Sequence, residues 1–325
     1  MIAILGGLAA AILWAAATLA SSRSSRMLGS RVVLAWVMIV GTAVGLPLGL
    51  LSGVPTSVAP EALPLLLLAG LCYSGGLYAA YSALTVGKVS VVAPIVAAEG
   101  AVAALVAVAL GDTLGAAAAV LLTVIVVGVV LSSIEPARPG VPAGDIVITA
   151  DALDGPATPA GAAEGAARMD VLVRADAHRA ANADESARTR KAVVLAVVAA
   201  AIFGVGLVAA GKAALLVPPI WVAINSRVVG LVIVALPLIL QRRLTLTRRA
   251  VPLIVVAGIG EVIGSTASVW GATDSIAISS VLGSQFAAIA AVVAFLLFHE
   301  RLSRSQVAGV VLIVAGVTAL AAVSV

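Results

Sequence analysis

Charge is scarce in this chain: only 10% of its 325 residues are Asp, Glu, Lys or Arg, while 62% are apolar. Soluble domains carry roughly 25% charge, so an aqueous fold is excluded at the outset. Aromatics are also few, at 3%, and Ala, Val, Leu and Gly supply the apolar surface, which suits close helix packing in lipid. Cys72 is the single cysteine, so no intramolecular disulfide can form. His178 and His299 are too isolated to build a metal site. HExxH, GxSxG and Walker A patterns are all missing, which speaks against an enzyme and against direct ATP drive. No cofactor or metal is expected. The net charge of +4 does not imply nucleic acid, because the basic residues lie between apolar runs rather than on one patch.

What the chain does have is long apolar runs. A spanning helix needs about 20 mainly apolar residues, and ten stretches qualify: near 2–20, 32–52, 62–84, 89–110 and 115–133, then 192–214, 219–240, 250–273, 276–298 and 304–324. Their uninterrupted hydrophobicity predicts helices, since barrel strands would alternate. Thr18-Leu19-Ala20 resembles a signal-peptide cleavage site, but no basic residue precedes the first run, so a retained helix is expected. Residues 134–191 differ in kind. Their Pro, Gly, Ala and Asp content reads as a flexible linker. Within it, 145–153 and 170–178 alternate apolar and polar residues and resemble each other. A small β-hairpin and a disordered tether are the two readings open there.

Sliding the sequence on itself by about 188 to 190 residues brings its halves into register. Ala62-Leu63-Pro64 meets Ala250-Val251-Pro252, Gly76 meets Gly264, Ser90 meets Ser279, and Asp112 meets Glu300. The division expected is a first repeat at 1–133, the linker at 134–191 and a second repeat at 192–325. Five spans per half force the second half to enter the membrane from the opposite side. The fold class expected is therefore an all-α polytopic membrane protein of ten transmembrane helices in two inverted five-helix repeats. Such repeats recur in secondary transporters, which bind substrate near the midplane. All of the 19 Lys and Arg residues except Lys212 and Arg227 fall in loops on one side. The positive-inside rule then places the linker in the cytoplasm and both termini outside.

Each half ends with a helix, a short acidic turn and a glycine-bearing helix: Leu110-Gly-Asp-Thr-Leu-Gly before Val126-Val-Gly, and Phe298-His-Glu-Arg-Leu-Ser before Ile313-Val-Ala-Gly. This pattern resembles the EamA-type repeat of the drug/metabolite transporter superfamily, present twice. The resemblance covers all but the linker. It implies a secondary transporter of a small metabolite or drug-like solute, an exporter in the inner (plasma) membrane, driven by exchange or an ion gradient such as protons. Translocation of a lipid-linked intermediate is the alternative. Relatives usually have a short link between halves and cytoplasmic termini, and this chain departs from both. Membrane lipid is the surrounding partner, no nucleic acid is expected, and oligomeric state is not legible.

Charge within a bilayer costs at least about 2.5 kcal/mol per central residue, so each case asks for a reason. Glu99 lies mid-run in the fourth span and Glu261 in the eighth. Pro94, and Gly283 at its matched position, are candidate helix breaks, a pointer to a transporter's binding site. Tyr78 and Tyr81 share a face with Ser74, at the same spacing by which Glu261, Ser265 and Ser268 share one. Ser284 and Gln285 add polarity to the ninth span, and Trp270 is placed near one mouth of the cavity. Arg227 either pairs with Glu261 as an internal ion pair or serves the site, and Asn225 can belong to either. The structural alternatives are hydroxyls bonded to their own helix and tryptophans anchored at the interface. In the functional reading a proton and a cationic solute compete for one buried carboxylate.

Overall fold

A computed structural model describes residues 1–110, 116–133, 159–274, 276–287, 289–290, 293 and 304–323. Every regular element among them is helical. In chain order they are α1 (Ile2–Leu28), α2 (Ser30–Ser52), α3 (Ala62–Val86), α4 (Val89–Val96), α5 (Glu99–Ala109) and α6 (Ala116–Ser133). Then follow α7 (Pro159–Ala214), α8 (Pro219–Gly230), α9 (Leu236–Leu240), α10 (Val251–Ala272), α11 (Ile276–Gly283) and α12 (Arg304–Val323). Among the described residues, six helices are long and apolar enough to cross a membrane: α1, α2, α3, the Asp184–Ala214 part of α7, the Pro219–Leu240 run and α10. Val91–Ala103 and Val307–Gly316 are shorter apolar helices. The chain is a multi-pass membrane protein.

Local chemistry explains where these helices bend or stop. Pro237 has no N–H to give and crowds the preceding turn. The chain answers with a single π-helical turn, Leu231–Ala235, that joins α8 to α9 without ending the span. Pro94 stands inside α4, and the helix gives way to a turn at Ala97 and Ala98 before α5 begins at Glu99. On the other half α11 ends at Gly283, with Ser284 and Gln285 in a turn. One of the two readings of the linker needs correction. Residues 170–178, offered as one arm of a hairpin, lie within α7. Alanine recurs through this stretch beside Arg, Glu and Asp, and summed helix preference outweighs a short alternation. The other arm, 145–153, lies outside the described residues.

Packing follows a reciprocal pattern. α1 lies along α10 and α3 lies along α7; α6 packs on α12, and α2 on α8. α1 also meets α11 just as α7 meets α5. Small residues permit these approaches, because lipid offers helices no hydrophobic drive to associate and contact area must supply it. Gly6 and Gly271 let α1 and α10 touch: a methyl built on Gly6 would lie 2.8 Å from the Gly271 Cα. A methyl built on Gly260 would likewise lie 2.8 Å from the Leu13 carbonyl oxygen of α1, and Gly264 faces the Trp14 indole. On α2, Gly41 leaves room for Arg227 and Gly45 for Val262. At one end of this interface the Ala3 N–H donates to Asp274 Oδ2 (3.1 Å), so a residue just past α10 caps the first turn of α1.

Gly6→Val tests the close approach. It is expected to lower stability by about 1–3 kcal/mol through overpacking, read as an earlier thermal transition in detergent. Leu8→Val, on the exposed face of the same helix, should leave that transition nearly in place.

Candidate functional site

Four helices deliver one buried polar cluster. Arg227, from α8, has no exposed surface. Its Nη2 donates to the Tyr73 hydroxyl of α3 (2.7 Å), the Glu261 carbonyl oxygen of α10 (2.6 Å) and the Ser265 hydroxyl (2.7 Å). The guanidinium carbon stands 4.1 Å from the centre of the Tyr73 ring, a cation–π contact in a site that water does not reach. Glu261 Oε2 is 4.0 Å from Arg227 and accepts a hydrogen bond from the Tyr73 hydroxyl. Ser265 donates back to the Glu261 carbonyl (2.6 Å), one turn earlier on α10. The fourth helix, α2, contributes Gly41: a methyl there would sit 3.0 Å from Arg227 Cδ. The geometry therefore answers one question left open by the sequence. Arg227 and Glu261 are an internal pair, bridged by Tyr73.

Beside this cluster lies a cavity of about 90 Å³, measured as the space open to the centre of a water molecule. Aromatic rings surround it: Trp14, Tyr73, Tyr81, Phe203 and Phe286. Its acids are Glu99 and Glu261, and no Lys or Arg side chain among the described residues forms its wall. The two carboxylates differ in circumstance. Glu261 is held by Tyr73 and offset by Arg227. Glu99, only 5% exposed, has no hydrogen-bond partner among the described residues. It occupies the first position of α5, directly after the turn that interrupts the fourth span. That location favours an acid, since the first turn of a helix presents unpaired N–H groups and the positive end of the helix dipole.

The cavity gathers Glu99, Glu261, Ser265, Ser268 and Tyr81 from the residues singled out in the sequence. Others lie elsewhere. Tyr78 is 43% exposed and points away from the cavity, because the inward face of α3 runs through Ala69, Tyr73, Leu77 and Tyr81 instead. Trp270 is 44% exposed and borders a separate shallow groove with Leu48, Ile220 and Ile263. Asn225 ties α8 to α3 through the Leu66 carbonyl (2.7 Å). Ser284 is buried beside Gly100, and the Gln285 Nε2 has no partner among the described residues. Pro94 and Gly283 sit at or just before the two interruptions rather than in the wall. Tyr73 escaped notice, although a signal existed: it precedes Glu261 by the 188 residues of the internal repeat.

A family model, the EamA-like transporter family, matches residues 1–134 and again 190–322. The chain belongs to that family. Members are transporters rather than enzymes, and the partner this implies is a small-molecule solute. A solved structure described only as the crystal structure of a protein superposes with a TM-score of 0.62 at 19% identity, over 99% of this chain and 96% of that one. At that identity the likeness concerns the fold alone. No curated protein matches the chain.

In this EamA-family chain the buried pair makes a direct prediction. Arg227→Met leaves Glu261 buried without its counter-charge and should cost about 3–5 kcal/mol. Adding Glu261→Gln to that variant should recover most of the loss. A thermal double-mutant cycle in detergent measures both, and two independent, additive losses would contradict the pairing.

Proposed function

We propose that this protein is a secondary exporter that moves a small cationic, amphipathic solute across the inner membrane by alternating access. Glu99 holds solute and proton in turn. The observation that carries this reading is the state of Glu99: a sequestered carboxylate without a hydrogen-bond partner among the described residues, facing an aromatic cavity. An isolated carboxylate in such a place is costly when charged, so it takes up either a proton or a cation. Aromatic faces around it suit an organic cation, and the apolar wall suits its hydrocarbon part. Competition of proton and solute for one group yields antiport.

Three observations support an inverted pair of five-helix repeats, at 1–133 and 192–325 and joined by 134–191, as the scaffold for that cycle. Packing partners exchange consistently between the halves, α1 with α10 answering α7 with α3. A helix interruption occurs in each half, Ala97–Ala98 against Ser284–Gln285, within about a residue of the repeat interval. Tyr73 and Glu261, equivalent by register, meet each other, as residues near a pseudo-two-fold axis must. The charge asymmetry supports an orientation with 134–191 in the cytoplasm and both termini outside.

Proteoliposomes with an imposed pH gradient test the reading. A panel of amphipathic amines, each paired with a neutral isostere, should include an amine whose flux follows the proton gradient. Glu99→Gln should cut that flux at least about tenfold, a loss of 1.4 kcal/mol or more, while Glu99→Asp keeps part of it. Gradient-driven flux that survives Glu99→Gln unchanged would remove Glu99 from the mechanism.

A further inference from the structure

Hydroxyls in these helices are generally satisfied by their own backbone. Thr42, Ser82, Ser226, Thr266 and Thr318 each donate to the carbonyl four residues earlier. Ser24 does the same toward Ala20 (2.9 Å). Two neighbours on α1 do not. The Ser21 and Ser25 hydroxyls are buried, at 0% and 1% exposure, and have no partner among the described residues. The Trp14 indole N–H and the Tyr81 hydroxyl are also buried and unpartnered there.

These groups form a line. At 3.6 residues per turn, positions 14, 18, 21 and 25 of α1 fall within roughly 60° of one another. Trp14 and Thr18 line the cavity, as does Tyr81 of α3. The Ser21 hydroxyl lies close to the Tyr81 hydroxyl, which joins α1 to α3 beside the cavity, although neither oxygen makes a well-formed hydrogen bond among the described residues. Beyond Ser25 stands Arg26, which is exposed and reaches the end of α3. Its Nε donates to the Leu84 carbonyl (3.2 Å) and its Nη2 to the Gly87 carbonyl (2.7 Å). The guanidinium thus caps the C-terminus of α3 and fastens α1 to it.

Polar atoms left unpaired in dry packing are costly, and a row of them leading out of a cavity is hard to explain as structure alone. We infer that the α1–α3 seam, marked by Thr18, Ser21, Ser25 and Tyr81, is a closed passage from the cavity to the Arg26 end, latched by Arg26. When Arg26 lets go of the Leu84 and Gly87 carbonyls, water enters the seam and satisfies the hydroxyls, and the cavity communicates with that end. The inference rests on the transporter reading and goes beyond it, in assigning one of the two routes to particular side chains.

Thiol accessibility tests the seam in the full chain. Cys72→Ala removes the native thiol, and Ser21→Cys, Ser25→Cys and the lipid-side control Ile12→Cys are then made singly in that background. Each is reconstituted and exposed to a small, positively charged methanethiosulfonate reagent. The thiols introduced at positions 21 and 25 should react and the control should not. Adding Arg26→Ala should speed reaction at both positions at least about tenfold, as expected when two charge-assisted hydrogen bonds hold the closed state. Chromatographic monodispersity checks that each variant is folded. Silence at both positions, whether Arg26 is present or replaced, would overturn the passage. Proton-driven flux of the amine panel in those same liposomes would then leave the transporter reading standing, so the two failures are distinct.

Discussion

Arg227 is wholly removed from solvent in a chain whose surroundings offer almost no other charge, and the core of the bundle is arranged around that fact. A lone guanidinium in such a medium would be prohibitively costly, so α3 and α10 must both come to it. Tyr73 gives its ring face and its oxygen, while Glu261 gives a counter-charge and a carbonyl. The small residue Gly41 on α2 is part of the same solution, because a side chain there would meet the arginine stem. Hydrogen bonds thereby tie α3, α8 and α10, drawn from the two halves, at one point, with α2 packed against it. Mutual neutralisation in this cluster also sets Glu99 apart, leaving it as the carboxylate that the cavity itself must satisfy.

The contact between Tyr73 and Glu261 joins positions 188 residues apart, the same interval that aligns the halves of the sequence. Equivalent residues of a two-fold arrangement can touch only close to its axis, so under the repeat proposed here this bridge marks the centre. At this contact the halves differ. One carries a phenol and the other a carboxylate, which turns what symmetry would make a like pair into a hydrogen-bonded one. An identical pair of carboxylates there would repel, and a pair of phenols would leave Arg227 without its counter-charge.

Spans were legible in the sequence because burial in hydrocarbon demands a nearly continuous apolar run, and α1, α2, α3 and α10 begin within two residues of the expected positions. The turns at 97–98 and 284–285 follow Pro94 and Gly283 in the chain. Side-chain direction was not legible. Assigning α3's inward face to Ser74, Tyr78 and Tyr81 rested on polarity, but in a membrane helix polarity marks the core-facing side only loosely. Tyr78 shows as much, lying on the exposed side while the hydrophobic Leu77 lines the cavity. Trp270 failed as a cavity residue for a related reason: an amphipathic ring near a helix end is as well placed at a lipid interface. The helical extension of α7 into 159–191 was obscured by Pro and Gly at its margins, although the alanine content carried the information.

The α1 stripe has a counterpart that sharpens its meaning. In the register that pairs Gly41 with Gly230, Trp14, Thr18, Ser21 and Ser25 correspond to Phe203, Leu207, Ala210 and Ala214 of α7. Phe203, Leu207 and Ala210 face the same cavity. One seam of the repeat is therefore hydroxyl-bearing and the other almost wholly apolar. An apolar seam can close dry at no polar cost, whereas this seam, closed with the Ser21 and Ser25 hydroxyls unpaired among the described residues, favours hydration. Closure at the α1–α3 side then needs something to hold it, and Arg26 on the α3 carbonyls is placed to do so. On the α7–α10 side no comparable latch is required. Under the transport cycle proposed here, the two routes of the repeat would in this way differ in what keeps them shut.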